Sequence, residues 1–391
     1  MLTDNKYLAV QNLGLVQRQA GVDPEIADLV CAFARLRTDA GRPLDFYEED
    51  PSVERMSRQF CHAWLVEKNA DADPRLLSFL TSYGSTMASR RLPIVYSVGH
   101  LAHKLRVSEA RLRWMSRNQR KLYREFRIPK ANGKERVICA PEDQLLTFQN
   151  WILRHILNRG KVHKYACGFV RGKSILDNAR PHIGRKVVVR LDLADFFPSI
   201  TQRQVRKVFE RFGYPYRVAS VLANLCTLDG RLPQGAPTSP AISNLICVRL
   251  DRRLEGLKKE MKFRYSRYAD DLVFSSDNPK LPALIPFLKE IIRSEGFAVN
   301  EDKVRIMRAG VQQKVTGVVV NTKTGIPRKK ARQLRAAVHT LRTKGIEAVR
   351  MESKRVGEVD PLYVLRGQLS FMQMVKPDAG RKLMAELAQC V

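Results

Sequence analysis

The sequence has few acidic residues relative to its basic ones, and it lacks several features that define common protein classes. Its 391 residues include 69 Lys and Arg against 39 Asp and Glu, a formal net charge of +30. The seven cysteines form no C-x-x-C pair and follow no regular spacing, which favours reduced thiols. There is no secretory signal and no apolar run long enough to span a bilayer. We therefore expect a cytoplasmic protein with no membrane partner.

The positive charge is confined to one part of the chain. Residues 1–92 carry a formal charge of −2, whereas residues 93–391 carry +32. Such an excess predicts a polyanionic partner, because phosphates neutralised by Lys and Arg release condensed counterions. With 44% hydrophobic residues, the chain can bury a sizeable core in two or three subdomains.

The most informative stretch runs from Phe263 to Ser276 and reads FRYSRYADDLVFSS. Its alternating and β-branched residues predict two strands joined by a tight turn that contains Asp270 and Asp271. Two adjacent carboxylates repel each other unless a cation binds them. Alone, such a pair is most often a solvated turn, because Asp is a common turn residue.

A second carboxylate-bearing strand changes that interpretation. The apolar run after Lys186 has the length of a buried strand and ends at Asp192. If this strand lies beside the hairpin, Asp192, Asp270 and Asp271 form an oxygen-only cluster suited to Mg²⁺. Two such ions, roughly 3.5 to 4 Å apart, would hold the attacking and leaving oxygens of a displacement at phosphorus. The pattern predicts nucleotidyl transfer.

Three motifs resemble those of the reverse transcriptases, in the same order. They are Asp192 followed five residues later by Phe197, the loop QGAPTSP at 234–240, and YADD at 268–271. Two more segments, NARPH at 178–182 and VTG at 315–317, are similar to the added signatures of retron-type reverse transcriptases. The resemblance extends from about residue 94 to the C-terminus.

This resemblance implies an α+β, right-hand polymerase fold with fingers, a palm built on an antiparallel sheet, and a helical thumb. We expect residues 93–325 to form the fingers and palm, and residues 326–391 to form a thumb that binds template and primer. Residues 1–92 have a helical, amphipathic pattern and would form an N-terminal extension. Two interpretations of that extension stay open: a protein-contact surface, or a structural brace for the catalytic core.

The resemblance also implies roles for single residues. Lys134 and Arg136, on a predicted hairpin around Asn132-Gly133, would hold the incoming triphosphate. Phe197 would exclude a 2′-hydroxyl and so select dNTPs as substrates. Gln234 and Gly235 would shape the template pocket. Lys303 would protonate the departing pyrophosphate, the alternative being an ordinary surface lysine.

One helix is informative without any analogy. Between Arg328 and Lys344, basic side chains recur at steps of three and four, and apolar side chains occupy a neighbouring face. The basic face carries no acid, which favours phosphate binding over simple solvation. It predicts a surface that grips an RNA:DNA hybrid by shape, through Arg328, Arg332, Arg335, His339 and Arg342.

The remaining elements are predicted to support these residues. Serines at 97 and 108 are placed to cap two short helices, and further helices are expected over 142–157, after Thr201, through 240–254 and over 284–292. A short strand is expected over 297–300. His182 is either a core histidine or an RNA contact. The segment CGFVRGKS at 167–174 lacks the spacing of a nucleotide-hydrolysing phosphate loop.

The leading hypothesis is a retron-type, RNA-directed DNA polymerase with two Mg²⁺ ions as cofactors. The resemblance further implies a cognate non-coding RNA as template and primer, synthesis from a 2′-hydroxyl, a branched RNA-DNA product, and anti-phage defence with a separate effector protein. One alternative is another mobile-element reverse transcriptase, although no maturase or endonuclease segment is expected after the thumb. An RNA-dependent RNA polymerase is disfavoured by Phe197. A scaffold for nucleic acid and protein is a further alternative, from a different class.

Overall fold

The computed structural model of the chain describes residues 74–129, 133, 135–353 and 360–390. Most of the predicted extension over 1–92 therefore lies outside the described residues, and so does Lys134. No helix within the described ranges is long and apolar enough to cross a membrane.

The chain contains both helices and strands, which alternate irregularly along the sequence. Up to residue 246 the chain forms α1 Pro74–Ser89, α2 Val98–Lys104, α3 Glu109–Arg117, β1 Tyr123–Pro129, β2 Glu135–Pro141, α4 Asp143–His155, α5 Ile175–Ala179, β3 Val187–Asp192, α6 Phe196–Ser199, α7 Gln202–Phe212, α8 Tyr216–Leu225 and α9 Ser239–Ile246. The rest forms α10 Val248–Met261, β4 Arg264–Tyr268, β5 Asp271–Ser276, α11 Ile285–Ser294, β6 Arg305–Arg308, β7 Lys314–Val315, β8 Val318–Val319, α12 Arg328–Ser353, α13 Pro361–Val375 and α14 Pro377–Ala388.

The chain divides into two compact units that exchange segments along the sequence. The first contains the described residues up to Lys161 together with Asp195–Ile246. The second contains Val162–Ala194 and the chain from Cys247 onward. Because the chain passes between the units at residues 161–162, 194–195 and 246–247, neither unit is a continuous segment.

Local capping chemistry explains where the helices of the first unit begin. The hydroxyl groups of Ser97 and Ser108 accept hydrogen bonds from backbone N–H groups in α2 and α3, as their positions predict. Thr201 and Gln204 form a reciprocal capping box on α7, and Gly213 ends that helix with a φ of +110°, a conformation that glycine adopts without strain. The predicted hairpin is present as the antiparallel pair β1–β2.

The second unit is built on a four-stranded antiparallel sheet with the order β4-β5-β3-β6. Strand β3 has the sequence VVVRLD and is buried along almost its whole length. The predicted strand and hairpin therefore do lie side by side. In this register Val188, Arg190 and Asp192 share one face of the sheet with Asp271 and Val273, because alternate residues of paired strands point to the same side.

The C-terminal helices pack on that same face. Val188 and Val273 of the sheet belong to one hydrophobic cluster with side chains of α12 and α13, among them Leu334, Val338 and Leu369. The amphipathic pattern predicted for α12 is confirmed, because Leu334, Val338 and Leu341 are buried whereas Arg328, Arg332, Arg335, His339 and Arg342 are exposed.

Three local predictions differ from the structure. The helix expected through 240–254 is interrupted at Cys247, so that α9 and α10 belong to different units. In the helix expected over 284–292, the apolar spacing predicts that Phe287 packs on the sheet with its neighbours, but Phe287 is 52% exposed. Residues 297–300 form a single bridge, Val299 to Leu193, instead of a strand. Periodicity identified the elements but not the points at which the chain changes units.

Candidate active site

The β4–β5 hairpin places two carboxylates in a turn at one end of the sheet. Tyr268 and Asp271 are the last residue pair of the ladder, and Ala269 and Asp270 connect them. Ala269 has a φ of +56°, a left-handed conformation that is uncommon for a residue with a side chain. The turn is therefore held in a strained conformation by the structure around it.

Strand β3 brings the third carboxylate to the same place. Asp192 is directly opposite Asp271 in the antiparallel register, and the next residue, Leu193, donates its N–H to the Asp270 carbonyl at 2.9 Å. Asp192 and Asp271 are only 5% and 6% exposed. Three acids from two distant parts of the sequence thus gather at one end of the sheet, as the sequence predicts.

Two basic side chains engage these acids. Lys303 lies on a 3₁₀ turn, Glu301–Lys303, that is anchored through the Asn300 N–H to the Asp192 carbonyl. Its Nζ lies 2.7 Å from Asp192 Oδ2. The second basic side chain is Arg190, whose Nε donates a hydrogen bond to Asp271 Oδ1 at 2.7 Å.

Arg190 was missed by the sequence reasoning, although a signal was present. It is a charged residue in an otherwise apolar strand, two positions before Asp192 and hence on the same face. A charge at such a position requires a partner of opposite sign.

Burial and mutual repulsion disfavour the charged state of the turn carboxylates. Burial raises the pKa of Asp271 to about 6, although the Arg190 guanidinium opposes the shift. Burial and the nearby Asp192 charge also raise the pKa of Asp270. A divalent cation would offset both effects, because it favours the ionised form of each carboxylate.

The donor set fits magnesium in its chemistry. Hard cations prefer carboxylate oxygens, and all three candidate ligands are aspartates. As the side chains stand, no group of three or more His, Cys, Asp and Glu in the described ranges is arranged to hold a metal ion. In the same arrangement Asp192 is ion-paired with Lys303 and Asp271 with Arg190.

The carboxylate turn is supported from behind by a neighbouring segment. Cys167 N–H donates to the Arg267 carbonyl at 2.7 Å, and Arg267 N–H donates to the Tyr165 carbonyl at 2.9 Å. The following Gly168 packs so closely that a Cβ there would lie 2.6 Å from the backbone nitrogen of Ala269. This glycine lets the two backbones touch.

A fully buried ion pair fixes the turn from the other face of the sheet. Arg267 and Asp251 are both 0% exposed and form two hydrogen bonds, Nε to Oδ1 at 2.9 Å and Nη2 to Oδ2 at 2.8 Å. Arg267 Nη1 also donates to the Ala269 carbonyl at 3.1 Å. Tyr265 OH donates to Asp251 Oδ1 at 2.7 Å. Through Arg267, Asp251 of α10 is connected to Ala269, the strained residue of the turn.

His182 is a core residue. It is fully buried, and its ring nitrogens lie 2.7 Å from Ser275 Oγ and 2.8 Å from Ser266 Oγ, on β5 and β4. Asn178, in the same NARPH segment, contacts the VTG segment at 315–317, because its Nδ2 lies 3.5 Å from Thr316 Oγ1. Of the two interpretations left open by the sequence, packing behind the hairpin is the one observed.

The residues predicted to handle nucleotide and template belong to the first unit. Phe197 is half-buried in α6, beside the buried Phe196. The Gln234 carbonyl accepts a hydrogen bond from Cys139 N–H of β2 at 2.8 Å, and Gly235 has a φ of +126°. Arg136 is exposed on the same strand β2. The loop and this strand are therefore in direct contact.

Comparison with known proteins agrees with this arrangement. The family described as "Reverse transcriptase (RNA-dependent DNA polymerase)" matches residues 128–335. The chain is 37% identical over 328 residues to the retron Mx162 reverse transcriptase of Myxococcus xanthus, which is 74% of this chain and 66% of the relative. It is 37% identical to the retron Mx65 reverse transcriptase of the same organism, over 76% of this chain and 72% of the relative.

A third relative comes from another organism. The chain is 35% identical over 302 residues to the retron Ec86 reverse transcriptase of Escherichia coli, which covers 76% of this chain and 90% of the relative. The chain spans about two thirds of the length of the first relative and most of the length of this one. Together with the family match, these similarities show that the chain belongs to the reverse transcriptases, the RNA-directed DNA polymerases, and within them to the retron type.

Proposed function

We propose that the protein copies part of a partner non-coding RNA into single-stranded DNA by two-metal nucleotidyl transfer at Asp192, Asp270 and Asp271. The observation that carries this proposal is the register of β3 against β5, which puts Asp192 directly opposite Asp271. When bound, Mg²⁺ supplies charge stabilisation of the attacking and leaving oxygens at phosphorus.

The two basic side chains of the site, Arg190 and Lys303, have distinct roles in this proposal. Arg190 holds Asp271 in place through its 2.7 Å hydrogen bond and offsets part of its burial cost. The Lys303 side chain is 55% exposed, so its ammonium group is accessible to substrate as well as to Asp192. Lys303 acts as the general acid that donates a proton to the departing pyrophosphate.

Substrate selection is assigned to the residues of the first unit. Arg136, with Lys134, binds the triphosphate, because a guanidinium matches pairs of phosphate oxygens. Phe197 excludes a 2′-hydroxyl by a clash with its ring and thereby selects dNTPs. Gln234 and Gly235 shape the template pocket, with the positive φ of Gly235 allowing close backbone approach.

In this proposal the chain forms a right hand. Residues 93–325 provide fingers and palm, and residues 326–391 provide the thumb. The exposed basic face of α12 supports the thumb assignment: its four exposed arginines, Arg328, Arg332, Arg335 and Arg342, track the phosphates of an RNA:DNA hybrid. Residues 1–92 form an extension that contacts another protein or braces the core.

The retron relatives support a more specific product. Synthesis begins at a 2′-hydroxyl of the partner RNA and yields a branched, RNA-linked single-stranded DNA. This product and a separate effector protein act together in anti-phage defence.

Sequencing of the nucleic acid that copurifies with the protein tests this product directly. We expect one RNA species joined covalently to DNA, so that alkali removes most of the RNA but leaves a short ribonucleotide remnant attached to the DNA. Random cellular RNA with no attached DNA would contradict the retron-type product while leaving polymerase activity intact. A variant with Asp270→Asn and Asp271→Asn is expected to copurify with RNA alone, and Asp378→Asn, an exposed carboxylate of α14, is the matched control.

A further inference from the structure

A basic site lies in the second unit, at the end of the four-stranded sheet opposite Asp192, Asp270 and Asp271. It is a cavity of about 300 Å³ lined by four basic side chains, Arg185, Lys258, Lys262 and Arg264, and one acidic side chain, Asp277. We call it the basic pocket. Strand β5 separates it from Asp271 by five residues, which is about 17 Å at the rise of a β-strand.

The sheet register that assembles the carboxylates also assembles the basic pocket. Val187 is paired with Ser276, which places Arg185 and Asp277 just beyond the two strand ends. Arg264 is paired with Ser275 at the start of β4. Lys258 and Lys262 come from the end of α10, so three segments of the chain converge there.

Most of the positive charge in the pocket is not neutralised. Asp277 Oδ2 accepts a hydrogen bond from Arg185 Nη1 at 2.6 Å, and this bond lowers the pKa of the Asp277 carboxyl. Lys262 and Arg264 are exposed and form no salt bridge within the described part of the chain. Lys258 Nζ contacts Tyr165, lying 4.3 Å from its ring centroid, which orients the ammonium group without cancelling its charge.

One of the lining side chains has an unsatisfied donor. Arg185 Nε is buried and has no hydrogen-bond partner in the described structure, although Nη1 of the same group is bonded. A buried donor without a partner costs free energy, and a phosphate oxygen is the acceptor that a guanidinium matches best.

The side chains that line the pocket favour binding of a phosphate over stacking of a base. Phe263 lines the pocket but is only 3% exposed, so it presents no ring face on which a base could stack. Contacts through charge alone do not depend on sequence, and they weaken as salt rises.

We propose that the basic pocket binds a backbone phosphate of a nucleic acid strand that extends away from the catalytic carboxylates. This inference rests on the proposed function in one respect: the nucleic acid that the pocket binds is the template or the DNA product. A strand needs about five nucleotides to span 17 Å at 3.4 Å per nucleotide. Shorter extensions do not reach the pocket, so the site acts on long nucleic acids and leaves the chemistry at the carboxylates unchanged.

The test compares long and short nucleic acids on the full chain. Lys262→Gln with Arg264→Gln removes two exposed charges of the pocket, and Lys314→Gln with Lys323→Gln removes two exposed charges of the same unit that lie outside both the pocket and the thumb. The pocket variant is expected to weaken binding of a long RNA:DNA substrate about tenfold at physiological salt and to reduce the log–log salt slope by about two. Affinity for a substrate with fewer than about five nucleotides beyond the primer end is expected to stay unchanged, as is kcat.

Three outcomes would overturn the proposal. They are equal loss of affinity for long and short substrates, no loss for either, and competition by inorganic phosphate without any dependence on nucleic acid length, which would indicate a free-anion site. DNA synthesis by the Asp270→Asn, Asp271→Asn variant tests the proposed function separately from this proposal. If that variant keeps full DNA synthesis, the catalytic assignment fails, whereas the length dependence still tests the pocket.

Discussion

Gly168 lies in backbone contact with Ala269, the strained residue of the carboxylate turn. A Cβ at Gly168 would lie 2.6 Å from the Ala269 nitrogen and 3.1 Å from the Tyr268 carbonyl carbon. Neither atom can move independently of Asp270 and Asp271. The position of the turn therefore depends on the absence of a side chain at residue 168.

Gly168→Ala is expected to displace the turn and to lower kcat for DNA synthesis at least about tenfold, with a stability cost of about 1–3 kcal/mol from overpacking. Gly256→Ala is the matched control, because a Cβ at Gly256 meets no atom within 4 Å and the residue lies inside α10. This control is expected to keep its activity and to gain up to about 1 kcal/mol of stability. Equal activity of the two variants would contradict the contact's importance.

The buried Arg267–Asp251 pair gives a second prediction. Asp251→Asn leaves the buried guanidinium without a counter-ion and is expected to lower the free energy of unfolding by about 3–5 kcal/mol. Replacing both residues, Arg267→Met with Asp251→Leu, is expected to recover most of that stability, because no charge is then buried. Urea denaturation followed by circular dichroism measures both effects.

Activity separates a positioning role for Arg267 from a purely structural one. The double variant lacks the hydrogen bond from Nη1 to the Ala269 carbonyl, so we expect stability to return without full kcat. Full recovery of both properties would show that the pair contributes packing alone.

His182 predicts a dependence of stability on pH. Burial, together with the Arg185 and Arg264 charges, lowers the pKa of His182 to about 3. The unfolded chain protonates this histidine below about pH 6.5 whereas the folded chain does not, so the contribution of His182 to stability falls as pH drops from about 6.5 towards 3, by roughly 1 kcal/mol per pH unit.

Thermal unfolding of His182→Gln at a series of pH values checks this dependence. The variant is expected to be less stable than wild type at pH 8 but to lose less stability between pH 6 and pH 4. His103→Gln, at an exposed position of α2, is expected to keep the wild-type slope. Identical slopes for all three proteins would contradict the assignment of the titration to His182.

Phe197→Ala tests the sugar selection proposed for the first unit. Removing the ring is expected to raise kcat/KM for ribonucleotides relative to deoxynucleotides at least about tenfold, because the clash with the 2′-hydroxyl disappears. Phe287→Ala, at a 52% exposed ring, is expected to keep the wild-type preference. Primer extension with each class of nucleotide measures the ratio, and an unchanged ratio in Phe197→Ala would refute the role.

Much of the site was predictable from the sequence because its signals are local. A β-branched run ending at Asp192, and an alternating pattern around Asp270 and Asp271, specify strands whose ends carry the acids. The same holds for α12, where charge and apolar periodicity separate into the exposed and buried faces that the structure confirms.

The supporting contacts were not predictable because their partners are distant in sequence. Arg267 is buried only because α10 supplies Asp251, and Gly168 matters only because its segment crosses the turn. The sequence around each of these two residues contains no pattern from which its partner could be predicted. Lys303 was placed by resemblance, and its ion pair with Asp192 depends on a backbone contact at Asn300.

The central claim is that three converging aspartates perform nucleotidyl transfer, and primer extension on an RNA template tests it most directly. Asp192→Asn is expected to abolish incorporation of labelled dNTPs in Mg²⁺, with RNA binding and the far-ultraviolet spectrum unchanged, while the exposed-site variant Asp378→Asn retains full synthesis. DNA synthesis by Asp192→Asn at the wild-type rate would contradict the account.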